Sequence, residues 1–172
     1  EHPFPASHDD VLTTYRWARD HAREWGGDPN LMAIGGESVG GNMAAATSHS
    51  LVRMGERPPL AQVLVYPLTT GEQYGDSMIE EADARPLNLP LLSWMAMHAF
   101  EGAPGAANDP RIALLDLPTD ELALMPPTLV ITDERDVLRD QGRAFAERLS
   151  AAGVAVDHLH VSGVMHEFFG AA

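Results

Sequence analysis

The chain has 172 residues, 45% of them hydrophobic and 21% charged, with 25 acidic against 11 basic side chains, a formal charge of −14 and no cysteine. That length and apolar content fit one domain that buries about 70% of the surface its unfolded form exposes, while the acidic excess repels nucleic acid and anionic membranes and so excludes both as partners. Without cysteine there is no disulfide and no thiolate metal site, which fits a reducing, cytoplasmic compartment, and no apolar run reaches the ~18 residues that a membrane span requires.

Residues 1–6, EHPFPA, are punctuated by proline and read as a loop. Ser7 with Asp10 resembles a capping pair, and Val11, Tyr15, Ala18, Ala22 and Trp25 recur at helical spacing as one apolar face. Gly26-Gly27 ends this helix, and Asp28-Pro29-Asn30 turns the chain into an apolar run, Leu31 to Ile34, read as a buried strand. A helix rich in small residues is predicted from Val39 to Met54, so Ser38 falls at a strand-to-helix joint. Gly36-Glu37-Ser38-Val39-Gly40 matches the nucleophile elbow, in which a strained turn lifts a serine hydroxyl above a sheet, and a side chain at either Gly36 or Gly40 is expected to clash where strand and helix approach. The turn also aims the first free N–H groups of the helix, Val39's among them, beside the hydroxyl, as half of an oxyanion hole.

Beyond the break at Arg57-Pro58-Pro59, Ala61 to Tyr66 reads as a second buried strand, stopped by Pro67. Strand, helix, strand implies a parallel crossover. Thr69 to Arg85 has no clear period. Asn88 is expected to cap a helix with Pro90 in its first turn, apolar nearly all round through Leu91, Leu92, Trp94, Met95, Met97, His98 and Phe100; a core helix and a lid over a pocket fit it equally. Gly102 to Pro127 reads mostly as loop. Thr128 to Thr132 is a third strand, followed by Asp133, Glu134 and Asp136; Asp140 is placed as the cap of a helix that buries Ala144, Phe145 and Leu149 and closes at Gly153. Val154 to Val161 is a fourth strand, and Ser162-Gly163 opens a loop carrying His166.

A parallel sheet gathers its chemistry in the loops at the carboxyl ends of its strands. Here those loops hold a serine, an acidic cluster and a histidine, in the chain order of the Ser, Asp, His triad found on α/β-hydrolase sheets. Ser38 is the candidate nucleophile and His166 the base, since an imidazole pKa near 6.5 allows proton uptake and return at neutral pH. His158 and His160 share one sheet face as a surface pair or two metal ligands, with no third ligand implied by spacing, so no metal is expected. The residues leave open which of Asp133, Glu134, Asp136 and Asp140 is the acid.

EHPFPA before a helix, GGESVGGN at the elbow, LVYP on the next strand, DERDVLRDQG after the third and VMHEFFG near the end resemble, in order, landmarks of the bacterial hormone-sensitive-lipase-like carboxylesterases of the α/β-hydrolase superfamily. The resemblance covers the whole chain and implies a parallel sheet flanked by helices, four strands of it present, with residues 1–68 and 109–172 as catalytic core and 69–108 as a helical cap. It implies Ser38 as nucleophile, His166 as base, and Asp136 as the triad acid, with Val137 where proline is usual. Leu138, Phe168, Trp94 and Met97 are implied or placed as pocket positions; Glu37 and Glu167, beside the nucleophile and the base, read as ordinary neighbours, with tuning of the site as the alternative.

The implied activity is hydrolysis of carboxylic esters of short acyl chains through an acyl-enzyme, without cofactor or metal; an amidase or lactonase using the same triad, and a non-catalytic small-molecule-binding protein on the same fold, are the rivals. The family's His-Gly-Gly-Gly oxyanion loop lies upstream of EHPFPA and has no match here, so the chain resembles the carboxyl-terminal half of an esterase. The elbow strand is then expected to be an open sheet edge, prone to homodimerisation.

Overall fold

A computed structural model describes residues 2–170. Its four strands, β1 (Ile34–Glu37), β2 (Gln62–Val65), β3 (Thr128–Arg135) and β4 (Val156–Met165), form one parallel sheet in the order β1-β2-β3-β4. Helix α1 (Ala6–His21) precedes the sheet, α2 (Val39–Arg53) joins β1 to β2, and α6 (Arg139–Ala151) joins β3 to β4. The long β2-to-β3 connection carries α3 (Ser77–Glu80), α4 (Leu89–Ala99) and α5 (Thr119–Leu122). None of the described helices is long and apolar enough to cross a membrane.

Alternation along the strands explains the layering. Leu64 and Val130 point to one face, where they meet Ala44, Ala45 and Ala46 of α2, Phe145, Ala146 and Leu149 of α6, and Leu114, Leu117 and Leu122 from the long connection. The three alanines let α2 approach the sheet closely, and Phe145 and Leu149, both fully buried, fill the space beside them. Val63, Val65, Leu129 and Ile131 point the other way, to a smaller cluster with Tyr66, Val161 and Phe168. Helices thus cover chiefly one face. The outer edge of β1 pairs with no strand among the described residues.

Several predicted boundaries move. The strand at the elbow is Ile34–Glu37 rather than 31–34; Leu31 is exposed, because the turn set by Asp28 extends through it with Leu31 N–H donating to Asp28 O. Helix α1 starts at Ala6 with no side-chain cap, so Ser7 and Asp10 form no capping pair. It ends at His21 and tightens into a 3-10 turn, Ala22–Trp25, closed by Gly26 at φ 77°; Trp25 therefore leaves the apolar face and packs on Trp17 at the surface. Strand β3 runs on through Asp133 and Glu134, and β4 runs on through Ser162 and Gly163 to Met165. The two stay paired past a bulge between Asp133 and Arg135.

The Asn88 cap is as predicted, its Oδ1 accepting from Leu91 N–H at 2.9 Å. Helix α4 buries none of its residues within this chain. Leu89, Leu91 and Leu92 pack with Met78 and Leu87 against Val137 and Leu138, which ties the 69–108 segment to the loop following β3.

Candidate active site

Ser38 is the single residue between the end of β1 and the start of α2, with φ 56° and ψ −120°. A left-handed φ outside glycine costs on the order of 1–3 kcal/mol and persists only where the surroundings impose it. Here Ser38 N–H donates to Val65 O at 2.9 Å, while Ser38 O accepts from Asn42 N–H and Leu68 N–H, each at 3.1 Å. Strand, helix and the next loop all grip the turn.

The glycine requirement falls on Gly36 and Gly41. A Cβ on Gly36 would lie 2.3 Å from Gly40 O and 2.4 Å from Gly40 C, and one on Gly41 would lie 3.0 Å from Pro67 Cβ. The expectation for Gly40 is corrected: a Cβ there meets nothing within 4 Å, because its Cα faces open space and it is its backbone that crowds Gly36. Val39 opens α2, so its N–H is among the four that have no intrahelical acceptor.

His166 follows directly on β4, not in a long loop. Its Nε2 lies 3.0 Å from Ser38 Oγ and its Nδ1 2.9 Å from Asp136 Oδ2. Asp136 is fully buried and His166 nearly so. The other oxygen of Asp136 accepts from Leu138 N–H at 2.9 Å. An ionised carboxylate only accepts, so Nδ1 carries the proton that bonds it, and Nε2 is left to receive the Ser38 hydroxyl.

The acidic cluster divides by environment. Glu134 accepts from Gly163 N–H at 2.6 Å and so clips β4 to β3. Asp140 does not cap its own helix; it accepts from Ser77 N–H at 2.9 Å. Burial works against its charge, but Ser77 N–H and Arg139 outweigh that and hold its carboxyl below the usual range. Asp133 is fully buried in β3 with neither oxygen partnered among the described residues. Burial, with the neighbouring Asp136 charge, pushes it up to about 8.

Two contributors have no assigned role in the sequence reading. The Tyr66 ring lies 4.4 Å from the His166 imidazole, centroid to centroid, and its hydroxyl donates to Glu37 Oε2 at 2.5 Å. Burial and that acceptor raise the phenol's pKa, so the hydroxyl stays protonated as a donor. Glu37 is thus more than a neighbour of the serine, since it anchors the ring that backs the imidazole. The one signal for this pair was an aromatic residue ending β2 beside a strand whose last residue is acidic.

Leu138 is buried behind Asp136 among Met78, Leu87 and Val137, and Phe168 stands edge-on to Tyr66 at 5.7 Å. Trp94 and Met97 are largely exposed on α4. A cavity of about 420 Å³ between α1, α2 and residues 109–111 is lined by His8, His49 and Arg111, and by none of these four pocket candidates. His158 and His160 both hydrogen-bond Thr132 Oγ1, at 2.9 and 3.2 Å, away from the serine. Among the described residues, the group with metal-ligand proximity is Asp133, Asp136 and His166, and the Nδ1 to Oδ2 hydrogen bond accounts for two of the three.

Comparison with known proteins identifies the fold. A family model described as the alpha/beta hydrolase fold matches residues 1–170. The chain is 36% identical to carboxylesterase NlhH of Mycobacterium tuberculosis (strain ATCC 25618 / H37Rv) over 177 residues, covering 98% of this chain and 53% of the relative. It is 34% identical to ethyl acetate hydrolase of Pseudomonas putida, covering 96% and 51% respectively. Among solved structures, a thermostable esterase from Pseudomonas putida ECU1011 superposes with a TM-score of 0.92 at 31% identity, over 96% of this chain and 52% of that one. A hyperthermophilic esterase from the archaeon Pyrobaculum calidifontis gives 0.90 at 32% identity, over 97% and 54%. The chain spans about half the length of the curated relatives it matches.

Proposed function

From the premise that the chain belongs to the α/β-hydrolase fold family, we propose that it carries the catalytic triad of a carboxylic ester hydrolase acting on short acyl chains. The observation that carries the reading is the unbroken relay from Ser38 Oγ through His166 to Asp136, with Ser38 held at a positive φ on its turn. Relatives named carboxylesterase and ethyl acetate hydrolase support esters as the substrate class and small acyl groups as its members.

Ser38 attacks the ester carbonyl carbon as His166 Nε2 takes the hydroxyl proton. Asp136 holds the ring by Nδ1 and stabilises the imidazolium. The tetrahedral oxyanion lies against Val39 N–H, and His166 returns the proton to the departing alkoxide, leaving Ser38 acylated. Water then repeats the sequence: His166 takes its proton, hydroxide adds to the acyl carbon, and the carboxylic acid leaves as Ser38 regains its hydrogen. Removal of one oxyanion donor lowers such rates by about 10²- to 10³-fold. No His-Gly-Gly-Gly sequence occurs among these 172 residues to supply a second set of donors, so this chain tested alone is expected to turn over slowly.

Intact-mass spectrometry after fluorophosphonate treatment tests the assignment. A single adduct absent from Ser38→Ala is the expected result. No adduct on a folded protein that binds small molecules without turnover refutes it. A panel of matched ester, amide and lactone substrates then decides among hydrolases, with ester turnover expected to dominate.

A further inference from the structure

The relay leaves Asp133 without a partner. It is fully buried, neither oxygen has a hydrogen-bond partner among the described residues, and ligating atoms of Asp133, Asp136 and His166 all lie within 4.8 Å of one another. Two buried carboxylates at that separation do not both ionise, since repulsion and desolvation act together. Asp136 is committed as the anion by His166 Nδ1–H and Leu138 N–H. The proton therefore resides on Asp133. As an anion Asp133 has two orphaned oxygens; as an acid it gains an O–H donor, with Asp136 beside it to accept.

We propose that Asp133 is a neutral carboxylic acid that shares its proton with Asp136, a positioning residue that holds the triad acid and moderates the basicity of His166. This rests on the triad reading above. The upward displacement of the Asp133 carboxyl by burial and by Asp136 agrees with it. The titratable and charged groups around Asp133 are Asp136 on the loop after β3, His166 after β4, Tyr66 after β2 and Arg139 at the start of α6. Tyr66 is bonded to Glu37, and Arg139, which donates to Glu80, Asp140 and the Glu134 carbonyl, favours the Asp133 anion only weakly, against the larger opposing effects of burial and Asp136.

The shared proton withdraws charge from Asp136, and His166 is less basic than it would be beside a lone carboxylate. When Asp133 ionises in alkali, a second negative charge appears beside the ring and raises its basicity. Asparagine at 133 keeps a donor toward Asp136 but cannot ionise, whereas alanine removes the donor.

The test is ¹³C NMR of protein labelled at aspartate carboxyl carbons, with the Asp133 signal assigned by Asp133→Asn and the His166 imidazole signals followed in parallel. The expected result is a buried carboxyl titrating near pH 8 with a matching inflection at His166, both lost in Asp133→Asn. In Asp133→Ala the His166 midpoint is expected to rise, since Asp136 then faces the ring as a lone carboxylate. An Asp133 carboxyl that titrates below about pH 5 with the ordinary aspartates, or a His166 midpoint unchanged in both variants, overturns the proposal. Should the alanine variant not fold, the wild-type and asparagine titrations decide. These signals come from the resting protein. Failure to label with fluorophosphonate alongside an intact dyad titration refutes the hydrolase reading alone, and labelling without that titration refutes the dyad alone.

Discussion

Substituting alanine separately at the two glycines of the elbow separates steric need from sequence pattern. At Gly36 the added methyl would meet Gly40 O and C at 2.3 and 2.4 Å, roughly 1 Å inside contact, and both are backbone atoms that cannot rotate away. Overpacking of this kind costs about 1–3 kcal/mol. Backbone against backbone puts Gly36→Ala at the upper end, about 3 kcal/mol, or roughly a 10 °C loss in Tm for a chain of this size. Relief by parting β1 from α2 moves Ser38 off His166 Nε2, now 3.0 Å away, and a displacement of ~1 Å lowers reactivity by about 10²-fold. At Gly40 the methyl meets nothing within 4 Å in the first turn of α2, and Gly→Ala there stabilises by up to about 1 kcal/mol. Urea unfolding with fluorescence detection, together with fluorophosphonate labelling rates, measures both. If Gly40→Ala destabilises as much as Gly36→Ala, the packing argument for the elbow is wrong.

Further outcomes follow from the same geometry. Tyr66→Phe keeps the ring on His166 but removes the hydroxyl from Glu37, whose exposed carboxylate water then solvates; a loss of about 0.5–1 kcal/mol in stability and a several-fold slower labelling rate are expected. In Asp133→Asn, stability near pH 4 matches wild type and exceeds it at pH 9 by a few kcal/mol. Folded Asp133 keeps its proton up to about 8, whereas the unfolded chain releases it near pH 4, so wild-type stability falls as pH rises through that window. Asp140 has the opposite sign. Its folded carboxyl sits below the usual value, so its contribution is present at neutral pH and lost as pH falls through that lowered value; Asp140→Asn unfolding midpoints should converge on wild type in acid. The open edge of β1 is expected to drive concentration-dependent association, read by light scattering, and a monomer at all concentrations would contradict it.

The sequence by itself determined the four strands and the helices α1, α2, α4 and α6 in their order, because these and the elbow follow from local periodicity and from glycine and proline positions that act over a few residues, whereas the short α3 and α5 lie in stretches without a clear period. Ser38 and His166 were legible for the same reason, since each ends or follows a strand and the parallel sheet puts those ends together. Among the acids, spacing alone left four candidates, and the resemblance singled out Asp136. Only the tertiary structure sorted them, since what distinguishes Asp136, Asp133, Glu134 and Asp140 is the partner each meets from another element: His166, none among the described residues, Gly163 and Ser77. The extension of β3 and β4 past their predicted ends was likewise decided by pairing, because the cross-strand ladder overrides the weak local signal of Ser162 and Gly163. Gly40 shows the limit of motif reading. The pattern marks two glycines alike, but whether a methyl fits depends on which way each Cα faces across the strand–helix contact, and that is a property of the packed chain.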